Sequence, residues 1–163
     1  MGTRSGSIDP TVVTYLQRAE GLSPEEADKM LNSKSGLLGV SGVSSDGREV
    51  WAAANAGNER ARLAINILAY DIKKIIGSYI AAMNGVDVLV FTAGIGENDR
   101  ALRALVCADM EYLGIAINTD VNANGKGGTE LDISADGARV KTFVIPTNEE
   151  YMIALDTKRL VEK

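Results

Sequence analysis

Residues 88–100 read V-L-V-F-T-A-G-I-G-E-N-D-R, and this stretch constrains the fold more than any other part of the chain. Its first four residues form an apolar run, which predicts a buried strand. The run leads into Gly94-Ile95-Gly96, and a helical pattern opens at Glu97-Asn98. Glycines let a ligand approach the backbone closely, and the first N–H groups of a helix are unpaired. The pattern is typical of α/β proteins that hold a phosphate or a nucleotide.

The glycine spacing does not identify that ligand. It matches neither the six-position dinucleotide fingerprint nor the P-loop, which ends in Gly-Lys-Ser/Thr. On turn chemistry alone, a tight strand-to-helix turn without any ligand is an equally good interpretation.

The C-terminal half of the chain alternates strands and helices. A helix is predicted from about Asn98 to Leu113, a second apolar strand over residues 140–145, and a last helix from Asn148 to about Val161. Before them, residues 58–83 carry apolar side chains at three- and four-residue spacing, which predicts one long helix. This order favours an α/β fold with a largely parallel sheet. Two strands are too few for so many helices, so we expect the chain to be part of a domain whose remainder precedes it.

The N-terminal part predicts short helices. Asp9-Pro10 provides an N-cap and a first-turn proline for a helix that runs to about Arg18. Ser23 and Glu26 form a capping box for a second helix, which runs to about Asn32. Residues 35–40 add another helical turn or two. Two polar segments predict loops, residues 41–48 and residues 118–129.

Composition excludes several classes of protein. The net charge is −5 with both signs interspersed, so no basic patch predicts a nucleic-acid partner or an acidic membrane surface. The apolar runs are too short to span a bilayer, and Met1 is not followed by the apolar region of a secretory signal. The single cysteine, Cys107, cannot form an internal disulfide, which predicts a cytoplasmic location. Its helical context favours a small buried hydrophobe over a nucleophile.

The sequence contains no histidine. Zinc catalysis and Ser-His or Cys-His catalysis are therefore not expected from this chain. Any chemistry here rests on carboxylates, arginine, lysine and backbone amides.

The last predicted strand is followed by T-N-E-E at residues 147–150. Thr147 and Glu150 fit a capping box, which leaves Glu149 without a structural role. If the two strands are parallel neighbours, Glu149 faces the same crevice as the glycine turn, since ligands gather at the carboxyl ends of strands. Glu149 is then either a Mg²⁺ ligand beside a phosphate chain or a solvated first-turn glutamate favoured by the helix dipole.

Two further charged groups have a functional and a structural interpretation. Asp46 and Arg48 flank Gly47 in a polar loop, where they either contact the polar edge of a ligand or form an ordinary surface turn. Arg4 lies in a loop of small residues, where it either clamps a phosphoryl or carboxylate group or is a terminal surface residue.

Four motifs resemble, in this order, those of the acetate/propionate kinases. They are M-G-T-R-S-G-S-I-D-P, S-G-V-S-S-D-G-R, F-T-A-G-I-G-E-N and V-I-P-T-N-E-E. The resemblance covers essentially the whole chain, whereas family members are much longer. It implies the fold of the acetate and sugar kinase/Hsp70/actin superfamily, with residues 1–163 as part of the RNase-H-like, actin-like C-terminal domain. The N-terminal domain and the start of the C-terminal domain are then absent.

The resemblance also implies a reaction and a set of roles. The reaction is reversible Mg²⁺-dependent transfer of the ATP γ-phosphoryl group to acetate, which gives acetyl phosphate and ADP. Arg4 corresponds to the residue that stabilises the transferring phosphoryl group, and Glu149 to the magnesium-associated glutamate. Nucleotide-binding residues correspond to Asp46, Gly47, Arg48, Gly94, Ile95, Gly96, Glu97 and Asn98.

One departure and several alternatives accompany the resemblance. Ser7 stands where the family more often has aspartate, which affects the local loop but not Arg4. Other catalytic groups of the family precede this segment, so we expect the chain alone to be inactive. The full-length protein is expected to be a homodimer that binds a nucleotide and a short-chain carboxylate or acyl phosphate. The alternatives are a propionate kinase, or a non-catalytic module for nucleotide binding or dimerisation.

Overall fold

The structure is a computed structural model that describes residues 1–126 and 128–162. The chain divides into two compact units, Met1–Lys74 and Ile75–Lys163. Among the described residues, no helix combines the length and apolar character that crossing a bilayer requires.

The first unit is built from helices, and their boundaries follow the local signals. Asp9 accepts a hydrogen bond from Thr11 N at the start of the first helix, and the Ser23–Glu26 capping box opens the second, as predicted. The third helix confirms the predicted turns after residue 35. The fourth was not predicted, because its first residues were assigned to a polar loop. The bounds are α1 Pro10–Glu20, α2 Pro24–Ser33, α3 Gly36–Ser41, α4 Gly47–Asn55 and the long α5 Glu59–Met83, which continues into the second unit.

The N-terminal segment is fixed against α2 and α3 by backbone hydrogen bonds. Ser5 N donates to Leu31 O at 2.8 Å, and Ser35 N donates to Thr3 O at 2.8 Å. Gly36 has a φ of +60°, and a Cβ there would lie 2.8 Å from the carbonyl oxygen of Arg4. Only glycine fits this position, so the backbone of Arg4 has a defined place in the first unit.

The second unit contains a three-stranded mixed sheet in the order β1-β3-β2. The predicted strands are β1 Val88–Phe91 and β3 Lys141–Val144, which are parallel neighbours with Val88 opposite Lys141. The added strand β2, Leu131–Asp132, pairs antiparallel with β3. The expectation of a largely parallel sheet is therefore correct only for β1 and β3, the two strands that precede the glycine and T-N-E-E motifs.

The second unit has a core of its own, against which Leu89 and Phe91 of β1 pack. A cluster of buried side chains contains Cys107, which is 3% exposed, as its helical context predicted. The other buried members of the cluster are Met110, Ile115 and Val140. The helices are α6 Ala93–Asn98, α7 Arg100–Cys107, α8 Thr119–Asn124 and α9 Glu149–Val161, with a 3-10 turn at Glu111–Leu113.

Two predictions in this unit were wrong. The helix expected from Asn98 to Leu113 breaks after Cys107, because Ala108 has a ψ of 140° and Asp109 has a φ of +56°. The segment 118–129, expected to be a flexible loop, contains α8, which Asn118 caps by accepting from Asp120 N and Val121 N. Gly127, which belongs to that predicted loop, lies outside the described residues.

The long helix α5 was predicted with nearly its observed bounds, but its apolar stripe is not buried throughout. Ile65 is 2% exposed, whereas Tyr79 and Met83 near the C-terminal end are 63% and 62% exposed. The apolar stripe is therefore buried near Ile65 and exposed near Met83, although its spacing is continuous along the helix.

Candidate functional site

The glycine motif and the T-N-E-E motif meet at the carboxyl ends of β1 and β3. Because the two strands are parallel neighbours, the segments that follow them emerge at the same edge of the sheet. They line an open cleft of about 340 Å³, formed by Gly94, Thr147, Asn148, Glu149 and Glu150. The expected proximity of Glu149 to the glycine motif is therefore observed.

The glycine motif is itself helical, which differs from the predicted turn. Thr92 is extended and Ala93 has a φ of +58°, so the chain turns before the glycines and α6 begins at Ala93. The helix predicted to open at Glu97-Asn98 instead ends there, and α7 begins at Arg100 after the Asp99 cap.

The two glycines of α6 have different surroundings. A Cβ at Gly96 would lie 3.1 Å from the carbonyl carbon of Phe91, so this glycine allows α6 to pack on the end of β1. A Cβ at Gly94 would meet no described atom within 4 Å outside its own helix and chain neighbours. Gly94 instead borders the cleft, where the lack of a side chain leaves the backbone accessible to a ligand.

The predicted capping box at the start of α9 was wrong. Asn148 occupies the N-cap, and in the described structure its side chain makes no capping hydrogen bond. Thr147 donates its backbone N–H and its hydroxyl to Glu97 Oε1, at 2.8 and 3.1 Å. The Thr147 hydroxyl therefore bonds the distant Glu97 instead of capping α9. Glu150 is exposed beside the cleft.

Arg103 holds the backbone of the glycine motif, although the sequence analysis did not identify it as a functional residue. Its side chain is 3% exposed, and Nη1 donates to the carbonyl oxygens of Gly96 and Glu97 at 2.7 and 2.9 Å. Nε donates to Asn122 Oδ1 at 2.8 Å, so the guanidinium joins α6 to α8. Burial lowers the pKa of Arg103 below its usual value, but an arginine remains charged.

A signal for Arg103 was present in the sequence. The buried positions of α7 are Leu102, Arg103, Val106 and Cys107, so an arginine interrupts an otherwise apolar helical face. A charged residue in a core face requires several hydrogen-bond partners.

The remaining predicted residues of this unit differ in how far they are engaged. Asn98 Nδ2 donates to Gly94 O at 2.8 Å, so the Asn98 side chain bonds within its own helix, α6. Ile95 is 51% exposed. Glu149 is exposed, and its carboxylate makes no hydrogen bond or ion pair to the part of the chain that is described.

The cleft fits a hard divalent cation only as part of a larger ligand set. Glu149 and Glu150 offer carboxylate oxygens, which suit Mg²⁺. Within residues 1–126 and 128–162, no group of three His, Cys, Asp or Glu side chains could form a full protein cage. Mg²⁺ typically takes one or two carboxylates and completes its coordination with phosphates and water, so the donor set fits this mode.

In the first unit, Arg4 and the Asp46 loop lie on neighbouring segments. The N-terminal segment passes beside that loop, because a Cβ on Gly2 would lie 2.8 Å from Ser45 O. Arg4 is exposed, and its side chain makes no hydrogen bond or ion pair to the described residues. It is therefore available to an anion.

Asp46 and Arg48 are engaged with each other. Asp46 caps α4 by accepting from Arg48 N at 2.8 Å, and the Arg48 guanidinium bonds the same carboxylate. Hydrogen bonds from the Arg48 side chain, and then from the Arg48 backbone N–H, lower the pKa of Asp46 to about 2. Gly47 begins α4. The local geometry thus accounts for the pair as a helix cap, while the exposed Arg48 side chain can still meet a ligand.

The motifs, their order and their structural setting agree with one family of proteins. The model of the acetokinase family matches residues 1–155. The chain belongs to the acetokinase family. The acetate kinase of Moorella thermoacetica is 56% identical over 162 residues, which are 99% of this chain and 40% of that protein. The acetate kinase of Acetivibrio thermocellus is 54% identical over 162 residues, with coverage of 99% and 40%.

Solved structures of this family share the fold. The crystal structure of Porphyromonas gingivalis acetate kinase matches with a TM-score of 0.91 at 53% identity, covering 99% of this chain and 40% of that chain. A propionate kinase from Francisella tularensis matches with a TM-score of 0.86 at 41% identity, covering 94% and 38%. The predicted α/β fold of the acetate and sugar kinase/Hsp70/actin superfamily is confirmed. The chain spans about 40% of the length of the curated relatives that it matches.

Proposed function

We propose that residues 1–163 are the C-terminal nucleotide-binding portion of an acetate kinase. The enzyme transfers the γ-phosphoryl group of ATP reversibly to acetate, and gives acetyl phosphate and ADP. The observation that carries the proposal is the cleft in which Gly94 and Glu149 follow neighbouring parallel strands. The acetate kinases at 50–56% identity support the same activity.

The cleft of the second unit is the proposed site of the nucleotide phosphates. Gly94, Ile95, Gly96, Glu97 and Asn98 form the segment assigned to the nucleotide. The proposed contact is made by the backbone of this segment, and the accessible backbone at Gly94 supports this assignment. Glu149 is the proposed ligand of Mg²⁺, directly or through water, because its exposed carboxylate has no competing partner among the described residues. Mg²⁺ is a hard cation that prefers oxygen ligands, and it would neutralise negative charge on the phosphates.

The first unit contributes its own proposed groups. Arg4 is assigned to the transferring phosphoryl group, whose charge spreads over the equatorial oxygens in the transition state. A guanidinium with five fixed donors suits that charge, and the exposed Arg4 has no protein partner in the described structure. Asp46, Gly47 and Arg48 are assigned to the adenosine part of the nucleotide. Their mutual hydrogen bonds support an orienting role for the Asp46 cap.

The wider assignment follows from the family. Members of the family are expected to use ATP/ADP, and we propose a cytoplasmic homodimer for the full-length protein. We propose acetate rather than propionate as the acceptor, because the acetate kinases named above are 54–56% identical to this chain and the propionate kinase structure is 41% identical.

A chimeric enzyme tests this proposal. The 162 matching residues of the Moorella thermoacetica acetate kinase are replaced by this chain, and acetyl phosphate formation from acetate and ATP is measured. We expect activity that Arg4→Ala and Glu149→Gln each reduce by at least about a hundredfold, as for loss of a group that stabilises transition-state charge. A folded chimera that binds ADP but forms no acetyl phosphate would favour the non-catalytic module.

A further inference from the structure

One carboxylate oxygen connects the two segments that line the cleft. Glu97 Oε1 accepts the Thr147 backbone N–H at 2.8 Å and the Thr147 hydroxyl at 3.1 Å. The two residues are 50 positions apart in the chain. Glu97 belongs to α6, whereas Thr147 follows β3 and precedes Glu149 by two residues. The contact therefore joins the glycine segment to the segment that carries Glu149.

The Glu97 side chain extends from a firmly held backbone. The buried Arg103 guanidinium binds the carbonyl oxygens of Gly96 and Glu97, at 2.7 and 2.9 Å. Glu97 itself is half-buried. Because this backbone is already held, bonding Thr147 orders only the Glu97 side chain and requires no further ordering of its backbone.

The chemistry of a carboxylate argues against direct phosphate binding by Glu97. An ionised carboxylate can only accept hydrogen bonds, and it repels the negative charge of a phosphate chain. The same group is well suited to accept an N–H and an O–H, because hydrogen bonds to a charged acceptor are the stronger ones.

We propose that Glu97 is a positioning residue, which fixes the Thr147 segment to the glycine segment and thereby sets the place of Glu149 relative to the nucleotide. Its side chain is not a ligand of the nucleotide. This inference rests on the proposed function, since it assigns a role within the same site. It predicts that loss of the Glu97 carboxylate uncouples the cation from the nucleotide.

The first measurement needs no ligand. Amide proton exchange of Thr147 is followed by NMR in the parent chain and in the Glu97→Ala and Glu97→Gln variants. We expect exchange to rise about tenfold in Glu97→Ala, as for loss of a hydrogen bond to a charged acceptor. Glu97→Gln keeps an acceptor oxygen, so we expect a rise of less than about threefold. An unchanged rate in Glu97→Ala would overturn the proposal, whatever the chain binds.

The second measurement tests the coupling. ADP affinity is measured by calorimetry with and without Mg²⁺, and we expect Mg²⁺ to tighten ADP binding in the parent chain. In Glu97→Ala this gain falls at least about fivefold, while ADP affinity without Mg²⁺ changes less than about twofold. Thr147→Val, which lacks the hydroxyl, loses part of the gain, and the matched Thr147→Ser retains it.

The two measurements distinguish the positioning role of Glu97 from nucleotide binding by the cleft. If Glu97→Ala weakens ADP equally with and without Mg²⁺ and Thr147→Val has no effect, Glu97 contacts the nucleotide and the positioning role is wrong. If the parent chain binds no ADP, the nucleotide site fails in this chain, and the Thr147 amide exchange decides the Glu97 contact independently.

Discussion

Replacement of Arg103 tests how the glycine motif is supported. The guanidinium makes three hydrogen bonds shorter than 3.0 Å, to Gly96 O, Glu97 O and Asn122 Oδ1. Such bonds to a charged donor each contribute about 1.5–3 kcal/mol net, and the cost of burying the charge offsets part of this. We therefore assign about 1 kcal/mol to each bond. Arg103→Leu should lower the free energy of unfolding by about 3 kcal/mol, because it leaves three acceptors unpaired.

Urea denaturation followed by far-ultraviolet circular dichroism measures this change. With a denaturant dependence of about 2 kcal/mol per M, the midpoint should fall by about 1.5 M. Arg103→Lys keeps the charge but not the planar fork, so we expect about half of that shift. If Arg103→Leu moves the midpoint by less than about 0.3 M, the guanidinium does not support α6 as described.

Two further predictions concern single residues on the proposed site. Gly96→Ala should lower the free energy of unfolding by about 1–2 kcal/mol in the same urea assay, because its Cβ would lie 3.1 Å from the backbone of Phe91. Gly94→Ala is the matched control: its Cβ would meet open space, so it should not destabilise the chain. Asp46 should titrate near pH 2 by NMR, and Arg48→Ala should raise that pKa, since the Arg48 side chain is its largest cause. The lowered pKa means that the cap stabilises fully above about pH 4 and loses its effect as the pH falls toward 2.

Elements whose signals are local could be predicted from the sequence. Asp9 followed by proline, and Ser23 three residues before Glu26, satisfy N–H groups within one helical turn, so the fold does not have to supply a partner. The strands β1 and β3 were predictable from their apolar runs. Their adjacency correctly implied that Glu149 lies beside the glycine motif.

Elements that depend on distant partners could not be predicted in this way. The strand β2 has two residues and exists because it pairs with β3. The Thr147 hydroxyl satisfied a local capping pattern, but its actual partner, Glu97, is 50 residues away. Arg103 finds its partner Asn122 19 residues away, and its other acceptors are backbone carbonyls, which no side-chain pattern reveals.

The break after α7 illustrates a further limit. Periodicity predicted one helix to residue 113, and the apolar spacing gave no reason to stop it. The chain leaves the helical conformation at Ala108, which has a ψ of 140°, and Asp109 follows at a φ of +56°. Met110 and Ile115 beyond the break both lie in the core. Tertiary burial therefore decided the boundary against the local pattern.

A calorimetric titration of MgADP into this chain measures whether the cleft beside Gly94 and Glu149 binds the nucleotide. A Cβ would meet no described atom within 4 Å beyond its own helix at Gly94 or at Gly77, so Gly94→Leu adds a side chain beside the cleft and Gly77→Leu makes the same change in α5. We predict saturable binding to the parent chain and to Gly77→Leu, and at least a tenfold loss of affinity in Gly94→Leu. Saturable binding that Gly94→Leu leaves unchanged, or no binding to the parent chain, would contradict the account.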